Sequence, residues 1–245
     1  MQMMNETFGK ISEIDVDTPD TWQNRIFLTF DIDWAHDEVL KDTIDLVEQA
    51  KVPATWFVTH ETPLLEELRS NPKFELGIHP NFNFLLDGDP YKGLNAEEVV
   101  DSFLAIVPEA NSVRCHSMTQ STKLLQVFHD KGLTHDCNHF IPEQAGFEVK
   151  PWYIWNGMIK VPYFWEDDIA CIYNENTPVS QMVAQKGTKV FDFHPIHIFL
   201  NTEDLERHEQ TRELHGRPND LSKYCFEGNG TRTVLKFLLK LAYPS

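Results

Sequence analysis

Basic side chains are scarce in this 245-residue chain: 21 Lys and Arg stand against 38 Asp and Glu, a formal charge of −17. Nucleic-acid backbones and anionic membranes are recognised through positive surfaces, so neither is expected as the main partner. No apolar run approaches the roughly 20 residues a bilayer-spanning helix needs, and stable membrane insertion is not expected. The opening segment MQMMNETFGKISEIDVD lacks a basic start followed by an apolar core, so no signal peptide is expected. Cysteine is confined to Cys115, Cys137, Cys171 and Cys225, far apart and without a Cys-x-x-Cys pair. Free thiols in a reducing cytoplasm fit that spacing, with Cys115 and Cys171 in apolar, strand-like segments. Internal repeats, low-complexity tracts and linkers are absent, and 41% of residues are hydrophobic. One domain over residues 1–245 is expected.

What is present is an alternation of β-rich runs and helical patterns, the signature of parallel strands joined by crossover helices. Strands are predicted at Arg25–Asp31, Ala54–Thr59, Phe74–His79, Ser112–His116, Leu133–Asn138 and Lys189–His194. Weaker candidates fall at Met158–Tyr163 and Ile169–Tyr173, inside a stretch from Ile141 to Asn176 where the pattern blurs. Helices are predicted at Asp37–Ala50, after Thr62-Pro63, and at Ala96–Val107, Ser121–Lys131, Val179–Lys186, Thr202–Leu214 and Thr231–Leu241. Asn81–Asn95 reads as a loop. The fold class is therefore α/β, a single distorted (β/α) barrel of about seven parallel strands.

Reactive side chains gather at the C-terminal ends of these strands: Asp31 and Asp33, His60, His79, Arg114 and His116, His139, and His194. In a parallel barrel that end carries the active site, because the strand-to-helix loops converge there. Residues two apart on a strand share a side, so Asp31 and Asp33 offer two carboxylates that can divide the tasks of holding a cation and taking a proton. Asp33 or Asp37 could instead cap the next helix. His79 offers an imidazole suited to zinc and similar ions, and Arg114 can pin a carboxylate. His194 stands where an acid could protonate a leaving group. Trp152, Trp155 and Trp165, with Tyr153, Tyr163 and Phe164, are read either as a sugar-stacking groove or as core.

These motifs, taken in order, resemble the polysaccharide deacetylases (NodB-homology, carbohydrate esterase family 4). Thr29-Phe30-Asp31-Ile32-Asp33 is similar to that family's Asp motif, and Ala54-Thr55-Trp56-Phe57-Val58 to the strand that follows. Leu76-Gly77-Ile78-His79 is similar to its histidine motif, Arg114 to its arginine motif and Phe193-His194 to its late histidine motif. HPNFN, RCHS and FHPIHIFLNT are most similar to a WbmS-like branch found with O-antigen assembly genes. The resemblance implies one divalent ion, zinc first, and an N-acetylated sugar as substrate, whether nucleotide-, lipid- or polymer-linked. It implies Asp31 as general base oriented by Arg114, Asp33 and His79 as metal ligands, the Ser117 N–H as an oxyanion donor and His194 as acid.

Three departures from the family pattern stand out. Asn83 occupies the place of a second ligand histidine, and His116 that of a proline, so His116 is proposed as the third ligand, with Asn83 as the alternative. The usual Asp-x-x-Asp-Trp motif is missing, and Trp165-Glu166-Asp167-Asp168 is the nearest candidate, leaving the partner of His194 open between Asp167 and Asp168. Asn83, Trp165, Asp167, Asp168 and His60 are the expected substrate-side residues. Two other readings fit the same residues: an allantoinase-like cyclic amide hydrolase and an inactive sugar-binding module.

Overall fold

The computed structural model describes residues 7–89, 95–173 and 177–243. Its strands are β1 (Phe8–Gly9), β2 (Ile26–Asp31), β3 (Ala54–Val58), β4 (Phe74–Ile78), β5 (Ser112–Val113), β6 (His135–Asp136), β7 (Trp152–Tyr153), β8 (Ile159–Lys160), β9 (Trp165–Glu166) and β10 (Lys189–Phe193). They form one curled sheet in the order β7-β8-β6-β5-β4-β3-β2-β10-β9, with β1 paired to β2 off that path. Among these strands only β7 with β8 is antiparallel. The result is a curled α/β half-barrel.

Alternation along β2 divides the core. Ile26, Leu28 and Phe30 enter an outer layer that includes Leu40, Ile44 and Val47 of helix α1 (Asp37–Ala50). Phe27 turns into the concave face, where it packs with Phe57, Cys137, Val161, Tyr163 and Val190. Ile11, Ile14 and Trp22 of the N-terminal segment join that inner cluster. The Ile11 N–H donates to Thr55 Oγ1 at 3.1 Å, and Ser12 bonds to Glu75, near the starts of β3 and β4. The N-terminal end of the barrel is thus filled, and the C-terminal end carries the polar groups.

Helices α2 (Leu65–Ser70), α3 (Asn83–Leu86), α4 (Ala96–Ile106) and α5 (Thr122–Asp130) follow the early strands. Asn95 caps α4 by accepting from the Glu98 N–H, and Ser121 caps α5 by accepting from the Leu124 N–H. The expected loop 81–95 contains α3, and its residues 90–94 lie outside the described residues, as do 174–176 of the blurred stretch. Ile169–Tyr173, expected as a strand, lies in α6 (Asp167–Ile172) and the turn that ends it, and Cys171 is therefore helical. Asp167 and Asp168 open that helix, where negative charge is favoured. Helices α7 (Val179–Ala184), α8 (Pro195–Leu200), α9 (Leu205–Thr211), α10 (Pro218–Leu221) and α11 (Thr231–Lys240) complete the chain. All four cysteines are free, Cys115 and Cys137 buried. No described helix is long and apolar enough to cross a membrane.

Candidate active site

Strand β2 ends at Asp31, so strand alternation does not bring Asp33 to the same side, as the spacing had suggested. A left-handed turn does so, with φ 31° at Asp33 and 53° at Trp34. That conformation is costly without glycine. The Trp34 N–H is held by Thr59 Oγ1 at 3.1 Å, and Thr59 is paired with His60 Nδ1 at 2.8 Å. His60 therefore supports the turn. The turn and the end of β4 set the two carboxylates on opposite nitrogens of His79: Asp31 Oδ2 is 3.4 Å from Nδ1 and Asp33 Oδ1 is 3.3 Å from Nε2. His116 Nδ1 approaches the same Asp33 oxygen at 3.5 Å.

Asp33, His79 and His116 each offer a donor atom within 4.8 Å of the others. Donors of a tetrahedral zinc site with bonds of about 2.0–2.1 Å stand about 3.3–3.4 Å apart, close to the separations seen here. Asp33 Oδ1 and both His79 nitrogens are buried without a hydrogen-bond partner, the condition in which a cation is wanted. Burial pushes Asp33 upward, but His116 and His79 outweigh it and hold the carboxyl well below its usual range. These residues fit a divalent ion. A second group, Asp31, Asp192 and His194, is already bridged by Arg114 between its two carboxylates. A third, Asp45, Glu48 and Glu67, is occupied by Lys41.

Arg114 is 1% exposed and lies between the rings of Phe57 and Tyr163, with its guanidinium carbon 4.6 Å from each centroid. Its Nη1 donates to Asp31 Oδ1 at 3.1 Å, to Thr29 Oγ1 at 2.9 Å and to Asp192. Gly77 makes room for the Phe57 ring: a Cβ there would lie 2.7 Å from it and 2.6 Å from Ser112 Oγ. One guanidinium cannot neutralise every buried carboxyl around it. Burial, opposed by Arg114 and reinforced by Asp31, raises Asp192, and burial with Asp168 raises Glu166, so each holds a proton more readily than an exposed carboxyl. Sequence reasoning missed Asp192, although it stands two residues before His194 on β10 and so shares its side.

Of the two candidates beside His194, Asp167 is its partner. Asp167 Oδ1 is 2.7 Å from His194 Nδ1, and Oδ2 accepts the His194 N–H at 2.8 Å. Burial opposes the imidazolium, yet Asp167 outweighs it and raises His194 well above the ordinary histidine range. His194 Nε2 faces Asp33 Oδ2 at 3.5 Å. Asp168 instead lines a cavity of about 380 Å³ together with Trp34, His194, His197, His208 and His215. Asn83 donates to Ser117 Oγ at 3.1 Å, which places it on the 116–118 turn.

Trp165 needs correction as a substrate contact: it is 4% exposed and packs on Phe191 and Phe193 in the outer layer. Tyr163 and Phe164 are likewise buried, while Trp152, Tyr153 and Trp155 are exposed. His139 packs against Trp152.

The family model of WbmS-like polysaccharide deacetylases matches residues 28–212. The chain is similar to the WbmS protein of Bordetella bronchiseptica, assigned as a polysaccharide deacetylase involved in O-antigen biosynthesis: identity is 48% over 98% of this chain and 100% of that one, with a TM-score of 0.93. Weaker likeness extends to a Mycobacterium smegmatis protein assigned as a polysaccharide deacetylase (13% identity, 89% and 90% covered, TM-score 0.47). A family 4 carbohydrate esterase from Streptomyces lividans in complex with acetate gives 15% identity, 69% and 78% covered, and a TM-score of 0.43. No curated protein matches the chain.

Proposed function

The chain belongs to the WbmS-like polysaccharide deacetylase family, and from that membership we propose that it removes an N-acetyl group from a sugar during O-antigen assembly. The products are acetate and an amino sugar. The observation that carries this reading is the Asp33–His79–His116 cluster, flanked by Asp31 with Arg114 on one side and His194 with Asp167 on the other. Those three side chains would hold a divalent ion, zinc first, which would supply Lewis acidity.

Within that frame each residue has a task. Asp31 takes the proton of the water that adds to the acetyl carbon, while Arg114 fixes the carboxylate's position. The Ser117 N–H, on a left-handed turn with φ 56°, donates to the developing oxyanion. His194 delivers a proton to the sugar nitrogen as the C–N bond breaks, and Asp167 keeps that proton available. Asp168 Oδ1 and His197 Nδ1 are buried without partners and belong to residues lining one cavity, which is where sugar hydroxyls would be received. Trp34, 42% exposed at the same cavity, offers an apolar face.

The test is acetate release from a panel of N-acetylated sugars, free, nucleotide-linked and oligomeric, before and after removal of metal by a chelator. Acetate release that stops on chelation and returns with zinc is expected. Ring opening of a cyclic amide without acetate, or sugar binding without turnover under any divalent metal, would refute the reading.

The ligand assignment has its own check. His116 shares the cluster with Asp33 and His79, whereas the Asn83 amide donates to Ser117. In a metal-buffered titration, His116→Ala should therefore lose far more zinc affinity than Asn83→Ala. A wild-type affinity for His116→Ala would return Asn83 to the ligand role.

A further inference from the structure

We propose that Asn138, anchored by the buried Asp136–Lys160 ion pair, is a positioning residue that holds His116 against Asp33. The proposal rests on the reading of His116 as a metal ligand.

The segment carrying Arg114, His116 and Ser117 leaves the sheet after β5, and only one of its two sides stays in a backbone ladder. Toward β4, the Arg114 N–H donates to the Ile78 carbonyl at 3.1 Å and the His116 N–H to that of Pro80 at 3.0 Å. Toward β6, the Cys137 N–H donates to the Val113 carbonyl at 2.8 Å. The next group on that side, the N–H of Cys115, is met by the Asn138 side chain, Oδ1 at 2.5 Å. Asn138 is in turn oriented by Asp136, whose Oδ1 accepts both its N–H and its Nδ2 at 2.8 Å. Asp136 Oδ2 receives Lys160 Nζ at 2.5 Å, and the same ammonium reaches Gln120 Oε1 at 3.3 Å.

Both ends of the 115–120 segment are therefore tied to one ion pair. Between the ties lie His116 and the left-handed residues Ser117 and Met118. Cys115, Asp136, Asn138 and Lys160 are all at most 3% exposed. A buried ion pair is a poor source of net stability, because desolvation offsets its attraction. What it contributes here is geometry: a fixed acceptor for Cys115, the residue joining the arginine that orients the base to the histidine that faces Asp33.

The experiment is a metal-buffered zinc titration of the full chain, with Co²⁺ absorption as a second readout of the ligand field. Asn138→Ala is expected to weaken zinc by about 10–100-fold, the usual effect of losing a group that orients a ligand, and to alter the Co²⁺ spectrum. In a His116→Ala background the same substitution should have no further effect. Unchanged affinity of Asn138→Ala beside a weakened His116→Ala overturns the proposal alone. An equal loss in the His116→Ala background also overturns it, because the effect would then be general loosening. Wild-type affinity of His116→Ala overturns the ligand reading and the proposal with it. Should Asn138→Ala fail to fold, Gln120→Ala at an exposed position is expected to give a smaller loss in the same direction, and no change there overturns the proposal.

Discussion

Zinc-loaded Asp31→Asn protein is expected to keep binding the ion and to release acetate about 10²–10⁴-fold more slowly, the usual cost of losing a general base. The two halves of that result come from different contacts. Asp31 stands outside the Asp33–His79–His116 cluster, so the amide leaves those three donors in place. Arg114 loses one acceptor but keeps Thr29 and Asp192, so its buried charge stays paired and the fold is expected to survive. What disappears is the basic oxygen, because an amide of the same shape cannot take the water's proton. The measurements are kcat/KM by acetate release and zinc affinity on the same preparation. Near-wild-type turnover by the metal-loaded variant would remove Asp31 from the mechanism.

Replacing His194 by alanine should cost about 10²–10⁴ in kcat/KM and should also erase the alkaline limb of a bell-shaped pH profile. An acid must be protonated to act, so activity falls as pH rises through its pKa. In the folded protein burial works against the imidazolium, but Asp167 outweighs it, and the limb belongs above the ordinary histidine value. The same sign predicts that Asp167→Asn moves the limb to lower pH, since burial then acts unopposed by that carboxylate. A limb unchanged in both variants would place the acid elsewhere. His197, three residues on, is a weak substitute: burial, with His194 and His208 nearby, holds it well below the histidine range and therefore neutral.

Much of the scaffold was legible because its signals are local. Helix α1 spans Asp37–Ala50 as its spacing predicts, and β2, β3, β4 and β10 fall within one residue of their expected bounds at each end. Each is a β-branched and aromatic run, or an amphipathic stripe, closed by polar residues. Helix α8 was not legible: Pro195, His197, Ile198 and Leu200 are all buried, so no polar face marks a period of 3.6. Strands β7 and β9 have two residues each, too short for any pattern to show.

For the site, the residue types and their order along the chain were determined by the sequence alone: Asp31, Asp33, His79, Arg114 and His194 each stand at or just beyond a strand end, where a parallel sheet delivers them to one rim. Their partners were decided by tertiary structure. Asp167 rather than Asp168 faces His194 because helix α6 begins there, and consecutive residues of a helix point in different directions. Asp192, Phe57 and Tyr163 surround Arg114 only through the inter-strand register, which sets Asp192 beside Thr29 and folds the Phe57 ring over Gly77. Asn138 meets Cys115 because the backbone ladder between β5 and β6 has ended there. Local sequence states which groups a strand end presents; long-range packing chooses which of them lie within bonding distance, because register and chain direction are settled by burial across the whole sheet.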